Sequence, residues 1–172
     1  MKLSVVHRTV DPAGLAGLAG LPPVLARAYA ARGIEDPSQL THSLDRLLRV
    51  GSLEGVAAAV DLLLAHRRGE GRVLVVGDFD ADGATSSALI VRALQAWGWP
   101  AVDFLVPNRF DYGYGLTPEI VALAAERTPT LIVTVDNGIS SISGVAAARA
   151  LGIEVLVTDH HLAGTELPAA NV

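Results

Sequence analysis

From residue 53 onward, apolar positions follow two alternating rhythms. Residues 53–68 place Val56, Val60, Leu63 and Leu64 on one helical face, and further helices are predicted over 84–97, 118–126 and 141–151. Between them lie short apolar runs, rich in β-branched residues, at 73–76, 102–106, 131–135 and 154–157; these read as strands. Strands alternating with helices of about ten to fifteen residues argue for crossover units and a parallel sheet. The strands are apolar on successive residues, as a sheet covered on both faces requires. The expected fold class is therefore α/β, a parallel sheet with helices on both faces.

Residues 1–52 lack that rhythm. Gly14, Gly17, Gly20, Pro22, Pro23, Gly33 and Pro37 punctuate them, and short helices are predicted at 24–32 and 37–48. The Ala-Gly-Leu repeat over 13–20 reads as a flexible lead. The expected division is a helical N-terminal lead, 1–52, followed by an α/β domain, 53–172. Ala169-Ala170-Asn171-Val172 resembles the approach to a further strand, so the domain is expected to be incomplete at its C-terminus.

Composition narrows the function classes. With 51% hydrophobic and 18% charged residues, the 172-residue chain is not a disordered one. No apolar run reaches membrane-spanning length, so no membrane role is expected. The absence of cysteine excludes disulfides and thiolate metal sites. Charge at Lys2, His7 and Arg8 interrupts the N-terminus too early for a secretory signal, and a cytoplasmic location is expected. The net charge of −5 has the wrong sign for gripping nucleic acid by bulk charge. Any nucleic-acid role then needs a local site, bound cations, or another part of the protein.

Chemistry gathers where the strands end, the edge at which open parallel sheets bind ligands. The first strand runs into Gly77-Asp78-Phe79-Asp80-Ala81-Asp82-Gly83, the third into Asp136-Asn137-Gly138, and the fourth into Thr158-Asp159-His160-His161. Carboxylates so close resist ionising together, and a divalent cation resolves the conflict. Carboxylate and imidazole without thiolate suit manganese or magnesium, with zinc less favoured. Two ions about 3.5–4 Å apart would form a clamp for phosphoryl displacement, with Asp136 the candidate bridge. Each piece alone has a plainer reading: an Asp-rich turn, an Asn-Gly turn, or a surface histidine pair. Asp82 is a candidate helix N-cap, and the same helix start, with Thr85 and Ser86, is a candidate phosphate cradle. Arg109, in the loop after the second strand, suits bidentate phosphate contact. Tyr112 and Tyr114 either stack on bases or pack locally. His66-Arg67-Arg68 complements a helix C-terminus and is expected to face solvent.

In this order, Val75-Val76-Gly77-Asp78-Phe79-Asp80-Ala81-Asp82-Gly83-Ala84-Thr85-Ser86, Arg109 with Gly113-Tyr114-Gly115-Leu116, Val133-Thr134-Val135-Asp136-Asn137-Gly138-Ile139, and Thr158-Asp159-His160-His161 resemble the motifs of the DHH phosphoesterase superfamily. Within it they are similar to the RecJ branch of single-strand-specific DNA exonucleases, as is the lead through Leu25-Ala26-Arg27 and Ala31-Arg32-Gly33-Ile34. Some members place a histidine ligand ahead of the first aspartates. Here Val76 stands nearby, which favours the RecJ branch over the pyrophosphatases.

The resemblance implies a 5′→3′ exonuclease of recombination and repair, dependent on Mn2+ or Mg2+, with two ions in the complete enzyme. It implies Asp80, Asp82, Asp136 and His160 as metal ligands. His161 would lie at the scissile phosphate or the metal cluster, Asp159 would orient the histidines, and Asp78 would be a supporting acid. Single-stranded DNA is the implied substrate, and a helicase and a single-strand binding protein are implied partners. The family also has a further metal-binding aspartate, a Gly-rich second domain and an oligonucleotide-binding fold downstream, none of them within these 172 residues. This chain alone is therefore expected to be inactive. The alternatives are a DHH phosphoesterase acting on short oligonucleotides or cyclic dinucleotides, and a non-catalytic scaffold.

Overall fold

The computed structural model describes Ser4, Val6 and residues 9–172. The reading of the first eight residues as no secretory signal lies, but for Ser4 and Val6, outside the described residues. The chain divides into two compact units, Met1–Ser52 and Leu53–Val172.

In the first unit, α1 (Pro12–Gly17) starts on Asp11, whose side chain accepts from the Ala13 N–H at 3.0 Å, and α2 (Pro23–Ala30) begins with a proline in its first turn. The stretch read as a flexible lead is instead largely this first helix, with Leu18 fully buried behind it. Its glycines serve close packing: a Cβ on Gly17 would overlap the Glu35 carbonyl. The helix expected over 37–48 is replaced by short 3₁₀ turns at Pro37–Leu40 and Leu44–Arg46, and a third follows at Val50–Ser52. Asp36 and Gln39 form a capping box that starts a helix, but Leu44, Leu47 and Leu48 stay exposed. Without an apolar face to bury, a short helix does not propagate.

The second unit has the expected architecture. In chain order it contains α3 (Val56–Arg68), β1 (Val73–Gly77), α4 (Ala81–Ala96), β2 (Val102–Leu105), a single turn α5 (Arg109–Tyr112), α6 (Pro118–Ala125), β3 (Leu131–Val135), α7 (Ile142–Ala150) and β4 (Glu154–Thr158). The four strands form one parallel sheet in the order β2-β1-β3-β4. Strand periodicity sorts the side chains to two faces. Val73, Val75, Leu131 and Val133 pack with residues of α3 and α4, while Leu74, Val76, Ile132 and Val155 pack with residues of α6 and α7. β1 and β3 are buried at every position; β2, at the edge, leaves Asp103 and Phe104 exposed, so the two-faced apolar rule fails there. Asn171 and Val172 bond to the β4 backbone in the ladder pattern of a parallel neighbour.

His66 departs from its expected place in solvent. Its ring is held by Glu154 at 2.7 Å and Thr130 at 3.1 Å, because α3 ends beside the starts of β3 and β4.

Two features position the site. The strand order reverses between β1 and β3, opening a crevice at their carboxyl ends. The register pairs Gly77 with Val135 and Val135 with Thr158. Asp78, Asp136 and Asp159 each follow one of those three residues, so the sheet sets three acids level.

Candidate metal centre

Asp136 stands at the middle of this edge. It has a positive φ of 62°, a left-handed conformation that aspartate tolerates better than most side chains. Its carboxylate is nearly buried and meets the His160 Nε2 at 2.8 Å. Asn137, read as part of a turn, is fully buried; its amide donates to the carbonyls of Val76 at 3.0 Å and Val135 at 2.9 Å, tying β1 to β3 beside the crevice.

Asp159 organises the histidine loop. Its Oδ1 accepts from the backbone N–H of His160 (2.8 Å) and of His161 (3.1 Å) and meets the His161 Nδ1 at 2.7 Å; its Oδ2 accepts from the Ile139 N–H at 3.0 Å. Burial pushes this carboxyl up, but those hydrogen bonds outweigh it and hold the group below the usual carboxylate range. The Asp159 bond in turn raises His161 above the ordinary histidine value. Asp159→Ala would leave these donors without their acceptor. The expected cost is about 1 kcal/mol, chiefly from the part-buried Ile139 N–H, since the histidine donors are open to water. Faster amide hydrogen exchange at Ile139, His160 and His161 would report it.

The β1–α4 loop supplies the other acids. Asp80, not Asp82, is the N-cap of α4: its backbone is extended and its carboxylate accepts from the Gly83 N–H at 3.2 Å. That bond, the largest influence on the group, holds the Asp80 carboxyl below its ordinary value. The helix starts at Ala81, three residues before the expected 84, which leaves Asp82 inside the first turn. The Thr85 and Ser86 hydroxyls donate back into the helix, to the Ala81 carbonyl at 2.8 Å and the Asp82 carbonyl at 2.6 Å.

Arg109, on α5, reaches Asp78, with which it forms a partly buried ion pair, and stands 3.7 Å from Asp80. Its guanidinium lies 4.5 Å from the Phe79 ring centre and 5.5 Å from that of Tyr114. Tyr114 packs edge-on against His161 and donates its hydroxyl to the Asp136 carbonyl at 3.0 Å; burial is the main reason its phenol is pushed up to about 12. Tyr112 is exposed at the end of α5.

Among the described residues, two groups bring ligand atoms within 4.8 Å of one another: Asp136 with His160 and His161, and Asp136 with Asp78 and Asp80. Asp136 belongs to both. The donor set is carboxylate oxygen and imidazole nitrogen, which fits a manganese- or magnesium-type ion. The sheet thus brings Asp80, Asp136, His160 and His161 together; Asp82 lies outside both groups. The sequence reading left Asp78 at the margin and gave Phe79 no part. Their partner, Arg109, lies 31 residues from Asp78 in the chain. An aromatic residue between two aspartates and an arginine in a Gly-rich loop were the available signals.

The profile of the DHH family N-terminal domain matches residues 72–172, more than half of the chain, and the chain belongs to the DHH family. It is homologous to RecJ exonucleases over most of its length. The single-stranded-DNA-specific exonuclease RecJ of Escherichia coli is 55% identical over 152 residues, covering 88% of this chain and 26% of that protein. A crystal structure of exonuclease RecJ bound to manganese superposes with a TM-score of 0.63 at 39% identity, over 69% of this chain and 30% of that one. The structure of RecJ from Thermus thermophilus in complex with Mn2+ superposes with a TM-score of 0.61 at 34% identity, over 92% and 22%. The chain spans about a quarter of the length of the curated relatives it matches. Among the described residues no helix is long and apolar enough to cross a membrane.

Proposed function

We propose that this chain is the metal-holding part of a 5′→3′ exonuclease that hydrolyses single-stranded DNA. The observation that carries the reading is the sharing of Asp136 between two ligand groups at the switch point of the sheet. The similarity to RecJ proteins supports the substrate class. Asp80, Asp136 and His160 would hold divalent ions, manganese or magnesium and two in number, with Asp82 joining if its side chain turns toward them. When bound, such ions neutralise the clustered carboxylates and activate water for attack on phosphorus.

The protein's own groups do the rest. Arg109 binds a non-bridging phosphate oxygen, aided by the N-terminal turn of α4, with Thr85 and Ser86 in the turn that follows. His161, held by Asp159, lies at the edge of the cluster and serves the scissile phosphate. Water oxygen joins phosphorus as the bond to the leaving sugar oxygen breaks, and that oxygen takes up a proton. The exposed aromatic rings beside Arg109 suit unstacked bases and so favour single strands. A cytoplasmic location and cooperation with a helicase and a single-strand binding protein belong to the same reading.

The test compares substrates on a polypeptide of the relatives' full length that carries this chain. With Mn2+ present, a labelled single strand is expected to be shortened from its 5′ end, with dinucleotides and duplex poorly cleaved. Preference for dinucleotides would replace the exonuclease with a short-oligonucleotide phosphoesterase. Cleavage of neither would leave a non-catalytic scaffold.

A further inference from the structure

Asp78 lies within ligand distance of Asp80 and Asp136, and on distance alone it qualifies as a metal ligand. Its bonding says otherwise. One carboxylate oxygen is engaged by the Arg109 guanidinium, and the other accepts from the Phe79 N–H at 2.8 Å. The residue is only 8% exposed, so water does not compete well for either oxygen. Coordinating an ion would require giving up the arginine and leaving that cation beside the metal.

The arginine is held in more than one way. Asp78 takes Nη2, Phe79 lies under the guanidinium, and Tyr114 stands at a second side. Its Nε is buried with no partner among the described residues, so the Asp78 contact dominates the orientation of the group. About a third of the side chain remains exposed (35%), and Nη2 stands 3.7 Å from Asp80. A planar fork aligned in advance loses less freedom on meeting a phosphate than a free arginine does.

We propose that Asp78 is a positioning residue rather than a metal ligand, holding Arg109 as a preset clamp for a non-bridging oxygen of the nucleic-acid phosphate. The inference rests on the metal and phosphate reading above, and deepens it by dividing the acids into two kinds. Asp80 and Asp136 serve the cation; Asp78 serves the arginine.

Two separate readouts test the division on this chain: Mn2+ binding followed by electron paramagnetic resonance, and binding of a 5′-phosphorylated oligothymidylate, with Mn2+ present, by fluorescence anisotropy. Asp78→Asn is expected to cost manganese affinity far less than Asp80→Ala does, because the substitution removes a neighbouring charge and not a ligand. It is expected to weaken the oligonucleotide about tenfold or more, as for loss of a charge-assisted hydrogen bond. Arg109→Ala should match that loss, and the double variant should be no weaker than Arg109→Ala alone. Manganese loss in Asp78→Asn equal to that in Asp80→Ala would overturn the proposal. So would unchanged oligonucleotide binding, or losses that add in the double variant. If Asp80→Ala and Asp136→Asn both retain full manganese affinity, it is the underlying metal reading that fails. Should Asp78→Asn not fold, as judged by circular dichroism, Asp78→Asn/Arg109→Met removes both charges together. In that variant retained manganese supports the proposal, and lost manganese overturns it.

Discussion

Asp136→Asn is expected to abolish manganese binding by this chain and, in a full-length protein, strand cleavage with it. The residue is shared by both ligand groups, so its loss removes a donor from each. Replacing an outer partner of a ligand costs about 10–100-fold in affinity, and a shared ligand should exceed the upper end of that range. Asparagine is the informative choice. It fits the same volume and tolerates the left-handed backbone at φ 62°. Alanine there would add about 1–2 kcal/mol of conformational strain and mix a folding defect with a chemical one. The expected result is therefore a folded protein, unchanged by circular dichroism, that no longer alters the Mn2+ resonance spectrum. Wild-type manganese affinity in Asp136→Asn would remove the site from this edge of the sheet.

Gly83→Ala should be the most damaging single-methyl change in the centre. A Cβ at this position would overlap the Asp78 carbonyl and lie 2.7 Å from the Asp78 Cα, both of them backbone that cannot swing away. The strain must move either the end of β1 or the first turn of α4. Those two pieces carry Asp78 and Asp80, so the methyl would separate the acids it touches. The cost is expected at about 3 kcal/mol, the upper part of the overpacking range, with manganese affinity falling alongside. Denaturant unfolding and the manganese titration measure the two effects on one sample. A variant as stable as wild type would mean that the loop is far more compliant than its packing indicates.

Sequence reading went furthest where residues carry their own local rule. Residues 131–135 are β-branched or apolar throughout, and they form β3 over that same span. The acids after β1, β3 and β4 declared themselves because strand ends in a parallel sheet share one edge. The misses came from contacts that sequence spacing does not encode. The motif holds two aspartates able to cap α4, and local spacing alone does not show that the Gly83 N–H goes to Asp80. Residues 37–48 have helix-forming signals but no surface to bury them on, so they stop at short turns. The Asp78–Arg109 pair depends on where the β2–α6 connection crosses the sheet edge, which no local pattern reveals.

The register of the sheet has a consequence for how this protein can change. Gly77, Val135 and Thr158 sit side by side, and the three acids follow at the same height. Sliding β3 by one residue would carry Asp136 about 3.3 Å along the strand axis and turn its side chain toward the opposite face. A single inserted or deleted residue within β3 would thus cost the chemistry even if the apolar contacts on each face found new partners. A change of length in the connections on the far side of the sheet would leave the three acids level, and one within a strand would not, so the strands act as a ruler for the site.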